Sequence, residues 1–250
     1  MDDSDLRFGG VQRLFSAPGL ARLRLAHVCV IGIGGVGSWA VEALARSAIG
    51  QLTLIDLDDV CVSNVNRQLH ALDGFVGRPK TIVMAERARA INPQCQINAV
   101  AEFFTPDTAA HLLAPQFTYV IDAIDNVAHK ALLIARCRER QLPLITVGAA
   151  GGRRDAGAIR LTDLAAATHD ALLAQVRKKL RDDHGFPREK KTLFQVPCIY
   201  SPETPHRPAA CESSGAGLRL DCESGYGTAS FVTGTFGLMA AGYVVNQIAA

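Results

Sequence analysis

No two of the seven cysteines (Cys29, Cys61, Cys95, Cys137, Cys198, Cys211 and Cys222) stand in a C-x-x-C pair, so the spacing that holds structural zinc is missing. Their odd number and scatter argue against a disulfide framework and for reduced thiols in a cytoplasmic protein. Charge of either sign is not in excess: 26 Lys and Arg face 24 Asp and Glu, so any nucleic-acid contact has to rest on a local basic surface. The opening residues, MDDSDLRFGG, are acidic and lack the apolar run of a secretion signal. No internal repeat is visible, and residues 1–250 are read as one domain. One uncharged stretch, residues 229–250, raises a membrane question. Its glycines, polar residues and missing basic flank favour a core helix, so membrane association is the minor expectation.

What is present is an alternation of short apolar runs and helical patterns. Strands are expected at 27–32, 51–56, 95–100, 117–122 and 142–148, with helices after the first, near 79–91 and 127–140. That order predicts an α/β fold, a doubly wound, mostly parallel sheet. Residues 1–24 read as an arm and 25–150 as a nucleotide-binding half. Residues 151–250 read as a substrate or dimer half with a smaller antiparallel extension. A helix is expected at 168–181, and the charged and Pro/Gly/Ser-rich stretch of about 182–217 reads as a mobile loop.

Gly32, Gly34 and Gly37 match G-x-G-x-x-G between a strand and a helix, the context in which a backbone turn cradles phosphate. Asp56 ends the second strand, placed for a ribose. This pattern alone does not separate NAD from ATP. The next segment, DLDDVCVSNVNRQLH (residues 56–70), gathers Ser63, Asn64, Asn66, Arg67 and Gln68. Lys80 sits in the first turn of a helix, where the dipole disfavours a cation unless an anion is held beside it. A triphosphate needs such donors. Asp122 and Asp125 fall at the carboxyl end of the fourth strand, where a carboxylate can hold Mg²⁺ beside phosphate oxygens. Either could instead cap the following helix.

These motifs in this order (GIGGVGS, LIDLDDVCVSNVNRQ, RPK, DAIDN) resemble the ubiquitin-activating-enzyme-like superfamily that includes ThiF and MoeB. Within it, RFGG at 7–10, residues 60–72, GAAGGRRD and residues 221–237 resemble the tRNA threonylcarbamoyladenosine dehydratase family over nearly the whole chain. The resemblance implies a Rossmann-like ThiF/MoeB-type fold that adenylates a carboxylate. It implies that Gly32, Gly34, Gly35 and Gly37 approach ATP, that Asp56 holds the ribose and that Asp58 also belongs to the nucleotide site. Ser63, Asn64, Asn66, Arg67, Gln68 and Lys80 would surround the phosphates, with Asp122 and Asn126 beside them. Asp125 would hold Mg²⁺. Arg7 would act in the partner site of a homodimer. Arg7, Arg67, Lys80 and Asp125 are the implied catalytic set. A monovalent cation is a further candidate, and zinc is not expected.

The implied substrate is tRNA carrying threonylcarbamoyl-adenosine beside the anticodon. The threonyl carboxylate is adenylated, and an atom of the modification then closes a ring. Residues 177–191, including Lys178, Lys179, Lys190 and Lys191, and the pair Arg153–Arg154 are the basic surfaces that tRNA would meet. Cys222 is the best-placed thiol for a covalent role, yet dehydration does not require one, and it reads as packing. His70 reads as structural. Two alternatives remain: an activator of a ubiquitin-like sulfur-carrier protein, against which the missing zinc cysteines speak, and an NAD-dependent oxidoreductase or nucleotide scaffold. A cysteine desulfurase or sulfur-acceptor protein is a further candidate partner.

Overall fold

The computed structural model describes residues 3–189, 192–206 and 226–250. Its strands are β1 (His27–Ile31), β2 (Gln51–Ile55), β3 (Gln96–Val100), β4 (Tyr119–Asp122), β5 (Leu144–Val147), β6 (Arg160–Asp163) and β7 (Pro197–Tyr200). Its helices are α1 (Asp3–Leu25), α2 (Gly37–Arg46), α3 (Lys80–Ile91), α4 (Ala109–Leu112), α5 (Val127–Glu139), α6 (Ala171–Asp183) and α7 (Ser230–Ala249). Among the described residues one seven-stranded sheet runs in the order β3-β2-β1-β4-β5-β7-β6. All pairs are parallel except β6 with β7.

The central strands carry apolar side chains on both faces because both faces are covered. Val28 and Val30 of β1 join Leu52, Leu54, Ile121 and Ile145 in a core with α2, α3 and α7. Their neighbours Cys29 and Ile31 join a second core with α4, α5 and α6 on the opposite face. The order reverses between β1 and β4, which opens a crevice at their carboxyl ends.

The smaller antiparallel part expected on the C-terminal side is β6 with β7, joined to the main sheet through β7. Two expectations are revised. Residues 197–200, expected to be loop, form β7 between β5 and β6; its proline is its first residue, where no ladder hydrogen bond is lost. Of the expected mobile loop, residues 182–189 and 192–206 are described, and part of them is packed. Phe186 is buried, packs edge-on to Phe194 at 5.0 Å and lies under the Arg138 guanidinium. The rest of the expected loop, 207–217, lies outside the described residues, as do Lys190, Lys191, Cys211 and Cys222.

α7 is the uncharged C-terminal stretch. It buries Val232, Phe236, Ala240, Ala241 and Val244. A Cβ on Gly237 would stand 2.4 Å from the Val36 carbonyl, so a glycine lets α7 press onto α2. Among the described residues no helix is long and apolar enough to cross a membrane.

Candidate active site

The crevice is built from the turns after β1 and β4. Gly32 has φ 89°, and a Cβ there would lie 2.6 Å from the Ala123 carbonyl, so the two turns touch through a residue that has to be glycine. A Cβ on Gly37 would meet the Gly32 carbonyl at 1.8 Å, which lets α2 start directly above the turn. No side chain caps α2; its Ser38 amide donates to the Gly34 carbonyl at 3.1 Å, and the positive end of its dipole faces the turn, where an anion would be favoured. Gly34 faces open space, its nearest neighbour being Gln68 Nε2 at 3.9 Å from an added Cβ.

Asp56 follows β2 and is 9% exposed. Its carboxylate accepts the Ile33 amide at 2.6 Å and the Asp58 amide at 2.8 Å. Burial raises its pKa, against the opposing pull of Lys80 and these amides. The Lys80 ammonium is nearly buried and lies 2.7 Å from Asp58 Oδ2. Pro79 precedes α3 as its N-cap rather than its first residue. Arg67 Nη1 donates to the Ser63 carbonyl at 2.6 Å and to Asn66 Oδ1 at 3.0 Å. Ser63 and Asn66 are exposed. The Arg67 carbonyl is fixed from behind by Trp39 Nε1 and Thr233 Oγ1, each at 3.1 Å. Neither Trp39 nor Thr233 was singled out in the sequence; each acts through a backbone atom of a residue that was.

The structure separates structural from available groups among the expected residues. Asp122 is corrected from ligand contact to buried anchor. It is fully buried, 2.9 Å from Lys130 Nζ, and also accepts Thr146 Oγ1 and the Ile124 amide. The signal for Lys130 was a lysine within an apolar helical run, which needs a buried partner. Asn64 is buried, with Oδ1 on the Cys61 amide, and so helps to fold its own turn. Asn126 Oδ1 accepts from the Ala128 and His129 amides and caps α5, so the capping role falls to it and leaves Asp125 exposed at the mouth. Arg153, expected at a basic surface, is 3% exposed, whereas Arg154 is exposed. In the other basic stretch Lys179 pairs with Asp183 and Arg188 with Asp182.

Arg7 does not join this group within its own chain. It bonds Asp3 and the Ile91 carbonyl at the C-terminal end of α3, roughly 17 Å along the helix from Lys80. His70 is buried with Nε2 2.7 Å from the Ile33 carbonyl, so Nε2 carries the proton; burial lowers its pKa. No three His, Cys, Asp or Glu side chains gather as a metal cluster among the described residues. A lone carboxylate such as Asp125 suits Mg²⁺, which keeps few protein ligands and takes phosphate oxygens and water for the rest.

The chain is 46% identical over 248 residues to the tRNA threonylcarbamoyladenosine dehydratase of Haemophilus influenzae, covering 99% of this chain and 95% of that protein. It matches the crystal structure of the E. coli tRNA N6-threonylcarbamoyladenosine dehydratase in complex with ATP with a TM-score of 0.90 and 45% identity, over 99% of this chain and 96% of that one. The molybdopterin-synthase adenylyltransferase of Salmonella typhimurium is 39% identical over 136 residues, 54% of each chain. Residues 10–249 match the ThiF family throughout, and the chain belongs to that family.

Proposed function

We propose that the chain dehydrates threonylcarbamoyl-adenosine in tRNA at the expense of ATP. The observation that carries this reading is the reach of the likeness. It spans the whole chain for the dehydratase and about half for the sulfur-carrier-type adenylyltransferase. The reading is supported by an α2 start without a side-chain cap and by two cations, Arg67 and Lys80, on the segment that follows Asp56.

In this reading Asp56 orients the ribose, and Arg67 and Lys80 neutralise the phosphates. Mg²⁺, held by Asp125 with phosphate oxygens, would withdraw charge from the leaving pyrophosphate. A carboxylate oxygen of the threonyl group attacks the α-phosphorus, and pyrophosphate departs with the bonding pair. A nucleophilic atom of the modification then attacks the acyl carbon, a proton is lost and AMP leaves. The site needs position and charge more than acid–base chemistry, in keeping with a buried, neutral His70. A homodimer lending Arg7 to the partner crevice, tRNA contacts at Lys178 and Arg154, a cytoplasmic location and a sulfur-acceptor partner complete the proposal.

The test is mass spectrometry of nucleosides from threonylcarbamoylated tRNA after incubation with the protein, ATP and Mg²⁺. Loss of one water from the modified adenosine, abolished by Asp125→Ala, is expected. No mass change, together with ATP–pyrophosphate exchange only when a carrier protein ending in Gly-Gly is supplied, would replace this reading by the carrier-activating one.

A further inference from the structure

Buried polar atoms in folded proteins find partners, and those that do not call for an explanation. Among the described residues the buried side-chain atoms without a partner are Gln68 Oε1, His70 Nδ1, Thr81 Oγ1, Thr228 Oγ1 and Arg153 Nε and Nη1. His70 Nδ1 is an acceptor left over once Nε2 donates. Thr81 lies within α3, and Gln68 belongs to the phosphate segment already described. Arg153 and Thr228 are different, because they stand together beside that segment.

Three hydrogen bonds place them. The Gly152 amide donates to the Gly227 carbonyl at 2.7 Å, and Asn66 Nδ2 donates to the Thr228 carbonyl at 2.9 Å. Residues 226–228 therefore bridge the phosphate segment to the loop that follows β5. Tyr226 closes over Gly151, where an added Cβ would meet its Cβ at 3.1 Å. β1, β4, β5 and β7 run parallel, so this loop stands at the same end of the sheet as the nucleotide crevice, on the side away from Asp56.

The guanidinium of Arg153 spends one donor, Nη2 on the His169 carbonyl at 2.8 Å. The N–H groups of Nε and Nη1 are unspent. Two carboxylates lie near enough to hold up its pKa against burial, Asp170 and Glu203, but backbone amides occupy both. Asp170 accepts the Ala149 and Leu173 amides, and Glu203 accepts the Arg154 and Asp155 amides. Asp170 is also faced by Arg177. The loop is thus pinned by acids that leave two nitrogens of the buried cation unpartnered, donors suited to an oxyanion.

We propose that Arg153 receives the carboxylate that ATP activates, with Thr228 Oγ1 as a second donor on the same wall. The inference rests on the dehydratase reading and deepens it. A phosphate oxygen has the same chemistry, but the nucleotide phosphates already have Lys80, Arg67 and the start of α2. A tRNA backbone phosphate shares this chemistry too, and tRNA lacking the modification separates it from the carboxylate. One carboxylate oxygen rests on Arg153 while the other bonds to the α-phosphorus as the bond to pyrophosphate breaks. The first oxygen is then the carbonyl of the acyl-adenylate. When the ring-closing atom adds to the acyl carbon, the charge that develops on that oxygen falls on donors already aimed at it. It returns to carbonyl as AMP leaves.

Arg153→Gln and Thr228→Val test this in the full-length protein. Thr228→Val deletes a hydroxyl that has no partner among the described residues, so its melting temperature should hold or rise, which keeps a readable variant if Arg153→Gln unfolds. For modified tRNA, kcat/KM should fall about 100-fold in Arg153→Gln and about 10-fold in Thr228→Val. Affinity for ATP and for tRNA lacking the modification should stay within about twofold, as these ligands lack the carboxylate. Equal loss of both tRNAs would identify a backbone phosphate and overturn the proposal, as would loss of ATP affinity alone or unchanged kinetics in Thr228→Val. A wild-type protein that leaves modified tRNA unchanged overturns the dehydratase reading and this inference together; an active wild type with indifferent variants overturns the inference alone.

Discussion

The ammonium of Lys80 lies 2.7 Å from Asp58 Oδ2, a nearly buried cation held by a half-exposed carboxylate. In the proposed function an arriving triphosphate competes with Asp58 for Lys80. Lys80→Met keeps the aliphatic stem packed and removes the charge. An exposed carboxylate left unpaired costs little, so the melting temperature is expected to stay within about 3 °C. Turnover of ATP should fall at least about 100-fold, because a preorganised charge facing the phosphates is gone. A melting shift with intact turnover would show that Lys80 serves the fold and not the nucleotide.

Asp122 and Lys130 give the opposite expectation. Both are fully buried, and Lys130 also donates to the Ile124 carbonyl, tying down the turn that carries Asp125. Removing one partner leaves an uncompensated buried charge, at about 3–5 kcal/mol. Asp122→Leu or Lys130→Met should therefore lower the melting temperature by roughly 10 °C, measured without ATP. Variants that melt normally but fail to bind ATP would restore Asp122 to the ligand.

These two aspartates show where the sequence is legible and where it is not. The strand–helix alternation and the crevice position could be read directly, because strands covered on both faces are continuously apolar and ligands collect at their carboxyl ends. Asp122 and Asp125 are three residues apart in one motif, and composition does not say which one turns inward. That depends on Lys130, eight residues on, reaching back from α5. Arg153 and Arg154 pose the same problem, since adjacent residues of an extended chain point to opposite sides. β7 was missed because its pairing with β5 spans some fifty residues and it opens on a proline. The local pattern carries no trace of that pairing.

His70 makes stability fall with acid. Burial holds its pKa below the ordinary 6.5, and His27 is shifted the same way. The unfolded chain takes up protons below about pH 6.5 that the folded chain refuses. The contribution of the neutral imidazole is thus complete above that pH and is lost as pH falls toward the folded-state pKa. Melting curves from pH 8 to pH 5 should show the decline. His70→Gln, which keeps a donor for the Ile33 carbonyl, should flatten it in part, with His27 supplying the remainder. An unaltered acid limb in His70→Gln would assign the decline to other groups.

Adenylation also fixes the fate of one oxygen. If a threonyl carboxylate oxygen bonds to the α-phosphorus, that atom leaves with AMP when the ring closes, and no free water is released. Substrate tRNA carrying ¹⁸O in both carboxylate positions should yield AMP with one heavy oxygen per turnover, and unlabelled pyrophosphate. The proposed function favours this route, since it assigns Arg67, Lys80 and the start of α2 to the phosphates and Arg153 to the carboxylate. Label in inorganic phosphate would mean transfer of the γ-phosphoryl group. Label lost to bulk water would mean a dehydration in which ATP does not touch the carboxylate, and either result would remove adenylation from the mechanism.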